Sequence, residues 1–117
     1  MKKDNLILEK SFEFALKIIE LHRQMAEQKE FVLSKQLLRS GTSIGANVEE
    51  ASAGYSKKDF AAKMSVASKE ARETRYWLRL IDKSQIAKVD VQGYLDEIEQ
   101  IVNILTAIVK TSQENVR

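Results

Sequence analysis

Two groups of side chains in this sequence have the types and spacing to do chemistry. In the first, Ser43, Asn47 and Glu50 stand four and three residues apart, which places them on one side of a helix. Glu70 and Glu73 stand a turn apart further along, among Arg72, Arg75 and Arg79. Such a set can hold a ligand or serve as an active site. Two carboxylates alone are common, however, and carboxylates beside guanidiniums satisfy one another through charge-assisted hydrogen bonds. The favoured reading is an inter-helix polar network that fixes register.

The second group follows one face of the later stretch: Lys69, Arg72, Tyr76, Arg79 and Lys83, with Arg75 and Trp77 adjacent. Cations interleaved with aromatic rings suit contact with phosphates and stacking on bases, so RNA or DNA is a candidate partner. The competing reading is a solvated face whose long side chains lie over Tyr76 and Trp77.

Other chemistry is harder to assemble. His22 is the only histidine and sits on an apolar stripe, so a packed, neutral core residue is expected. A nucleophile system would have to use it with no supporting motif. Di-iron bundles need Glu-x-x-His from two helices, and Glu20-Leu21-His22 has the wrong spacing. Gly41-Thr42-Ser43-Ile44-Gly45 lacks the lysine and spacing of a phosphate-cradling loop. The absence of cysteine excludes disulfides and thiolate metal sites. The expectation is no enzyme, no metal and no cofactor.

Helices must position these groups. From about Asn5 to Ala26, Leu8, Phe12, Ala15, Ile19, His22 and Ala26 recur at spacings of four and three, while Ile7, Phe14, Ile18, Leu21 and Met25 line an adjoining face. A second segment spans about 31–53, with Leu37, Gly41, Ile44, Val48 and Ser52 in the same period. Its stretch Ser40–Asn47 has the composition of a loop, yet the period runs through it in register. A continuous helix is favoured over a break near Gly41, at about 1 kcal/mol for each interior glycine.

Gly54 offers a left-handed cap and Ser56 an N-cap for a third helix over 57–82. Phe60, Met64, Ala67, Ala71, Thr74, Leu78 and Ile81 form its seam. The small residues at its middle predict close packing, with Gly41 and Gly45 as the facing patch. Asp90 can cap a fourth helix over 91–112, whose seam is Leu95, Ile98, Val102, Leu105 and Val109. Ile101, Ile104 and Ile108 widen that seam, and the tail after Thr111 is expected to fray.

Short connections make successive helices antiparallel neighbours. The predicted architecture is a single all-α domain over 1–117, an antiparallel up-down-up-down four-helix bundle. The first and fourth helices are apolar over more than one bundle contact requires. A homo-oligomer is therefore expected, with Phe14, Ile18, Leu21, Met25, Ile101, Ile104 and Ile108 at its interface.

Composition agrees. There is no proline and there are four glycines, which suits long helices. No apolar run approaches the roughly 18 residues of a membrane span. The N-terminal stretch is broken by Glu9 and Lys10 before it could form a signal-peptide core, so a cytoplasmic location is expected. Residues 55–83 carry eight basic and four acidic groups against a net charge of +2 for the whole chain. That local excess fits either nucleic-acid contact or pairing between helices or subunits.

The run from Phe31 to Ala51, with Leu37-Leu38-Arg39-Ser40-Gly41-Thr42-Ser43-Ile44-Gly45-Ala46-Asn47 at its centre, resembles the central motif of the 23S rRNA intervening-sequence protein family. Ser56-Lys57-Lys58-Asp59-Phe60 and the run Ser68–Leu78 look like that family's third helix. The resemblance covers about residues 8–112. It implies a small bacterial four-helix bundle assembled into a ring-like homo-oligomer, a pentamer. The family is also similar to the accessory variability protein of diversity-generating retroelements, a basic oligomer that binds nucleic acid and a reverse transcriptase. This chain departs from that relative in its near-zero net charge. It also has Val48-Glu49-Glu50-Ala51 where some members carry Ile-Ala-Glu-Gly. The leading expectation is a non-catalytic scaffold or adaptor, with nucleic-acid binding through the third helix as the alternative.

Overall fold

The computed structural model describes residues 2–116; Met1 and Arg117, the ends of the expected domain, lie outside them. Four helices account for nearly all of the described chain: α1 (Lys2–Glu27), α2 (Val32–Ser52), α3 (Lys57–Ser84) and α4 (Gln92–Val116). Among the described residues there is no strand. α2 runs unbroken through Gly41 and Gly45, as its period predicts. α4 continues past the point where fraying is expected. Ser112 is buried there and its hydroxyl bonds Val109 O at 3.0 Å, while residues 113–116 are exposed.

Local chemistry sets the ends. Ser56 accepts the Asp59 amide at 3.0 Å and starts α3. Asp90 Oδ1 accepts the Gln92 amide at 3.1 Å and starts α4. α2 is capped from outside the helix: the Glu30 carboxylate accepts the amides of Leu33 and Ser34 at 3.0 and 2.9 Å. Gly54 is not left-handed; no described glycine has positive φ. Its missing side chain matters for space, because a Cβ there would stand 3.1 Å from Ala51 O. Lys29 (φ 64) and Gln85 (φ 53) are the left-handed residues, one near each of two helix ends.

The molecule is a rod of 47 × 21 × 21 Å. α1 packs on α2 and α4, and α3 packs on α2 and α4, while the backbones of α1 and α3, and of α2 and α4, stand further apart across the core. Partner numbers fall on one helix as they rise on the next. Ser11 faces Gly45 and Ile18 faces Gly41, while His22 Nδ1 lies 3.3 Å from Ser34 O. On the other side of α1, Lys10 bonds Gln100, Tyr94 bonds the Lys17 carbonyl, and Gln28 bonds Lys88.

Two packing expectations are corrected. Gly41 and Gly45 admit α1, not α3: a Cβ on Gly41 would stand 2.9 Å from Ile18 Cγ2 and one on Gly45 3.3 Å from Ser11 O. And the residues expected at a subunit interface lie inside the monomer. Phe14, Ile18, Leu21 and Met25 are fully buried, Ile101 and Ile108 are buried, and Ile104 is half-buried. α1 is rotated so that the stripe through Phe14 forms the core. The neighbouring stripe is left half-covered at Leu8, Ala15 and Ile19 and open at Phe12, 56% exposed.

Candidate functional site

α3 carries the second group and the two paired carboxylates of the first, and sorts them to different sides. Toward α2 it presents Glu70 and Glu73. Arg39, from the middle of α2, reaches both: its Nη1 lies 3.5 Å from Glu70 Oε2 and its Nη2 pairs with Glu73 Oε2. Trp77 Nε1 donates to the same Glu73 oxygen at 3.0 Å. The indole hydrogen bond, joined by those of Arg39, holds the Glu73 carboxyl below its ordinary pKa of 4.5. Glu70 is more enclosed, its side chain 12% exposed. Its Oε2 is within ion-pair range of Arg39 but aligned with no hydrogen-bond donor.

Only part of the expected polar network forms. Ser43 bonds the Arg39 carbonyl at 2.6 Å and Asn47 bonds the Ser43 carbonyl at 2.8 Å, both within α2. Glu50 is exposed to solvent. The set that spans the helices is Arg39, Glu70, Glu73 and Trp77, with a second tie where Thr74 Oγ1 meets Ser40 Oγ at 2.9 Å. Arg39 was not singled out from the sequence. Its position four residues before Ser43 on the α2 face toward α3 is the one signal that could have found it.

Away from the core α3 presents the second group. Lys69, Arg72, Arg79 and Lys83 are exposed, and among the described residues none has a carboxylate within 4 Å. Tyr76 lies among them, 52% exposed and edge-on to Trp77 with ring centres 5.3 Å apart. Arg75 does not belong to this face; it pairs with Glu99 of α4 at 3.2 Å. The same outward line of α3 carries Ala62 and Val66, both exposed, and half-buried Leu80. The face thus has free cations, one accessible ring and some apolar surface.

The remaining features offer less chemistry. His22 is half-buried with its Nδ1 on a backbone carbonyl, a packed position. A shallow, open cavity of about 290 Å³ lies among Lys17, Asp90, Gly93, Tyr94 and Glu97. The hydrogen bond to Glu97 raises the Lys17 pKa and ties up both charges. Burial raises the Tyr94 pKa, and its hydroxyl donates to Lys17 O at 3.2 Å. Among the described residues no three histidines or carboxylates stand where they could hold a metal, and no helix is long and apolar enough to cross a membrane.

Comparison with known proteins gives two positive findings. A family model described as 23S rRNA-intervening sequence protein matches residues 3–107. A crystal structure from Bacteroides thetaiotaomicron, described as a protein of unknown function from the S23 ribosomal protein family, is similar over 92% of this chain and 98% of its own, with 45% identity and a TM-score of 0.86. No curated protein matches the chain.

Proposed function

The chain belongs to the 23S rRNA-intervening sequence protein family, and from that membership we propose that it is a non-catalytic, cytoplasmic scaffold or adaptor built as a homo-oligomer of antiparallel up-down-up-down bundles. The opposed order of the contacts between neighbouring helices supports the antiparallel arrangement. The observation that carries self-association is the outer face of α1. Phe12 and Leu16, one turn apart, are 56% and 55% exposed on one helix of a 21 Å-thick rod. Apolar surface grouped in this way marks a protein contact. The acidic pair supports the non-catalytic part: a Glu73 held ionised by an indole and a guanidinium is a poor proton donor.

Sedimentation or light scattering tests the assembly. We expect a particle several times the 13.3 kDa chain mass, five times if the ring implied by the resemblance forms. A well-folded 13.3 kDa particle at micromolar concentration would overturn the proposal.

The four unpaired cations around Tyr76 favour a second reading, in which α3 contacts the phosphate backbone of RNA or DNA. It requires retention of a structured RNA that weakens with salt and with Arg72→Ala and Arg79→Ala. An absence of retention at low salt would remove it.

A further inference from the structure

We infer that the outward face of α3 in one copy docks on the outward face of α1 in the next, so that the chain assembles head to tail. The inference rests on the self-association proposed above and assigns its surfaces.

Three observations lead there. First, α1 and α3 stand at opposite corners of the bundle, their backbones kept apart by α2 and α4. Their outward faces therefore point to opposite sides of the rod. A contact between two different patches on opposite sides propagates from copy to copy and closes into a ring when the rotation allows.

Second, the faces match in form. On α1, Glu9, Phe12, Leu16, Ile19 and Arg23 follow one another at spacings of three and four. On α3, Val66, Lys69, Glu73, Tyr76, Leu80 and Lys83 do the same. Each is a ridge of the kind that packs along a partner helix, and each exposes apolar side chains: Phe12 and Leu16 next to each other on one, Val66 at the start and Tyr76 further along on the other.

Third, they match in charge. The α1 ridge starts at exposed Glu9 and is flanked by exposed Glu13 and Glu20. Beside it Lys17 is neutralised by Glu97 and Arg23 makes an exposed 3.7 Å pair with Glu20, while Lys10 bonds the neutral amide of Gln100 and keeps its charge, so the acids exceed the remaining cations by one. The α3 ridge carries Lys69 and Lys83 and is flanked by Arg72 and Arg79, while Glu73 on it and Glu70 beside it are paired with Arg39. Opposite potentials meeting across a contact steer the partners and fix the register. Nucleic acid would match the α3 cations but would leave Val66 and Leu80 unused and the acidic α1 ridge uncovered. A second copy covers all of them.

Charge reversal tests the pairing. Glu13→Lys with Glu20→Lys on α1, or Arg72→Glu with Arg79→Glu on α3, should each weaken subunit association by at least about tenfold, measured by sedimentation across concentrations. All four substitutions in one chain should restore assembly. Circular dichroism checks that each variant keeps its helices. As a second measurement, the chain has no native cysteine, so Leu16→Cys and Tyr76→Cys placed together should give a ladder of crosslinked chains with a short bis-maleimide, and Leu16→Cys alone should not. If the wild type assembles and neither reversal changes it, or no ladder forms, these faces are the wrong ones while self-association stands. A monomeric wild type would sink both. An intact assembly that still binds structured RNA through Arg72 and Arg79 would show the α3 face open, and would also overturn the inference.

Discussion

Thr74 Oγ1 and Ser40 Oγ lie 2.9 Å apart, and both residues are fully buried where α2 meets α3. Thr74 also reaches the Glu70 carbonyl at 2.8 Å. A hydroxyl has one hydrogen to give, so the pair is satisfied only jointly. Thr74→Val keeps the shape but leaves Ser40 with a distant Leu37 carbonyl at 3.5 Å. The expected loss is about 1–2 kcal/mol in urea unfolding. Ser40→Ala combined with Thr74→Val should cost less than the two single changes added together.

Two glycines should respond differently to the same substitution. A Cβ at Gly41 would stand 2.9 Å from Ile18 Cγ2, and Ile18 is fully buried. Gly41→Ala should destabilise by about 1–3 kcal/mol despite the gain in helix propensity. A Cβ at Gly93 meets nothing within 4 Å. Gly93→Ala should leave stability unchanged or raise it by about 0.5 kcal/mol. Thermal melts of the two variants beside the wild type decide this.

The Arg39 cluster predicts a pH dependence. The folded pKa of Glu73 is depressed below 4.5, first by Trp77 and then by Arg39. A depressed carboxylate stabilises the fold fully above its unfolded pKa, and that contribution is lost as pH falls through the lowered value. Arg39→Ala should therefore cost about 1 kcal/mol at neutral pH, since half the Arg39 side chain is solvated. The gap from wild type should close as pH drops below 4.5. A gap that stays constant from pH 7 to about pH 3 would rule out this account.

Gln28 makes a two-way clasp: its Nε2 donates to Lys88 O at 3.0 Å and its Oε1 accepts the Lys88 amide at 2.7 Å. Gln28→Ala should expose that amide. Hydrogen exchange at Lys88 should accelerate by at least about tenfold while amides in mid-α3 stay protected.

Most of the helical framework was legible because a period of three and four survives in any helix that buries one side. It carried α2 correctly through Ser40–Asn47, where composition argued for a loop. It did not say which of two adjoining stripes on α1 turns inward, because Phe12 and Phe14 both fit a helical apolar face. Packing chose the Phe14 stripe, and the predicted interface moved into the core with it. The period was equally silent about neighbours. Gly41 and Gly45 announce a close approach but not whose; α1 arrives with Ile18 and Ser11. The polar site was half legible for a related reason. Glu70 and Glu73 share a face by spacing alone, whereas their partner Arg39 lies 34 residues from Glu73 and joins them only once two helices are side by side.

The Gln28–Lys88 clasp has a further result for how the chain is joined. The α1–α2 pair and the α3–α4 pair are connected by peptide bonds through Gly54–Ser56, where Tyr55 is fully exposed, and again by hydrogen bonds between the other two loops. The backbone is thus not the sole link between the halves. Severing it beside Tyr55 would give two fragments with complementary greasy sides and a ready-made latch, so the polypeptide could be supplied as two separately synthesised pieces that find each other and rebuild the rod.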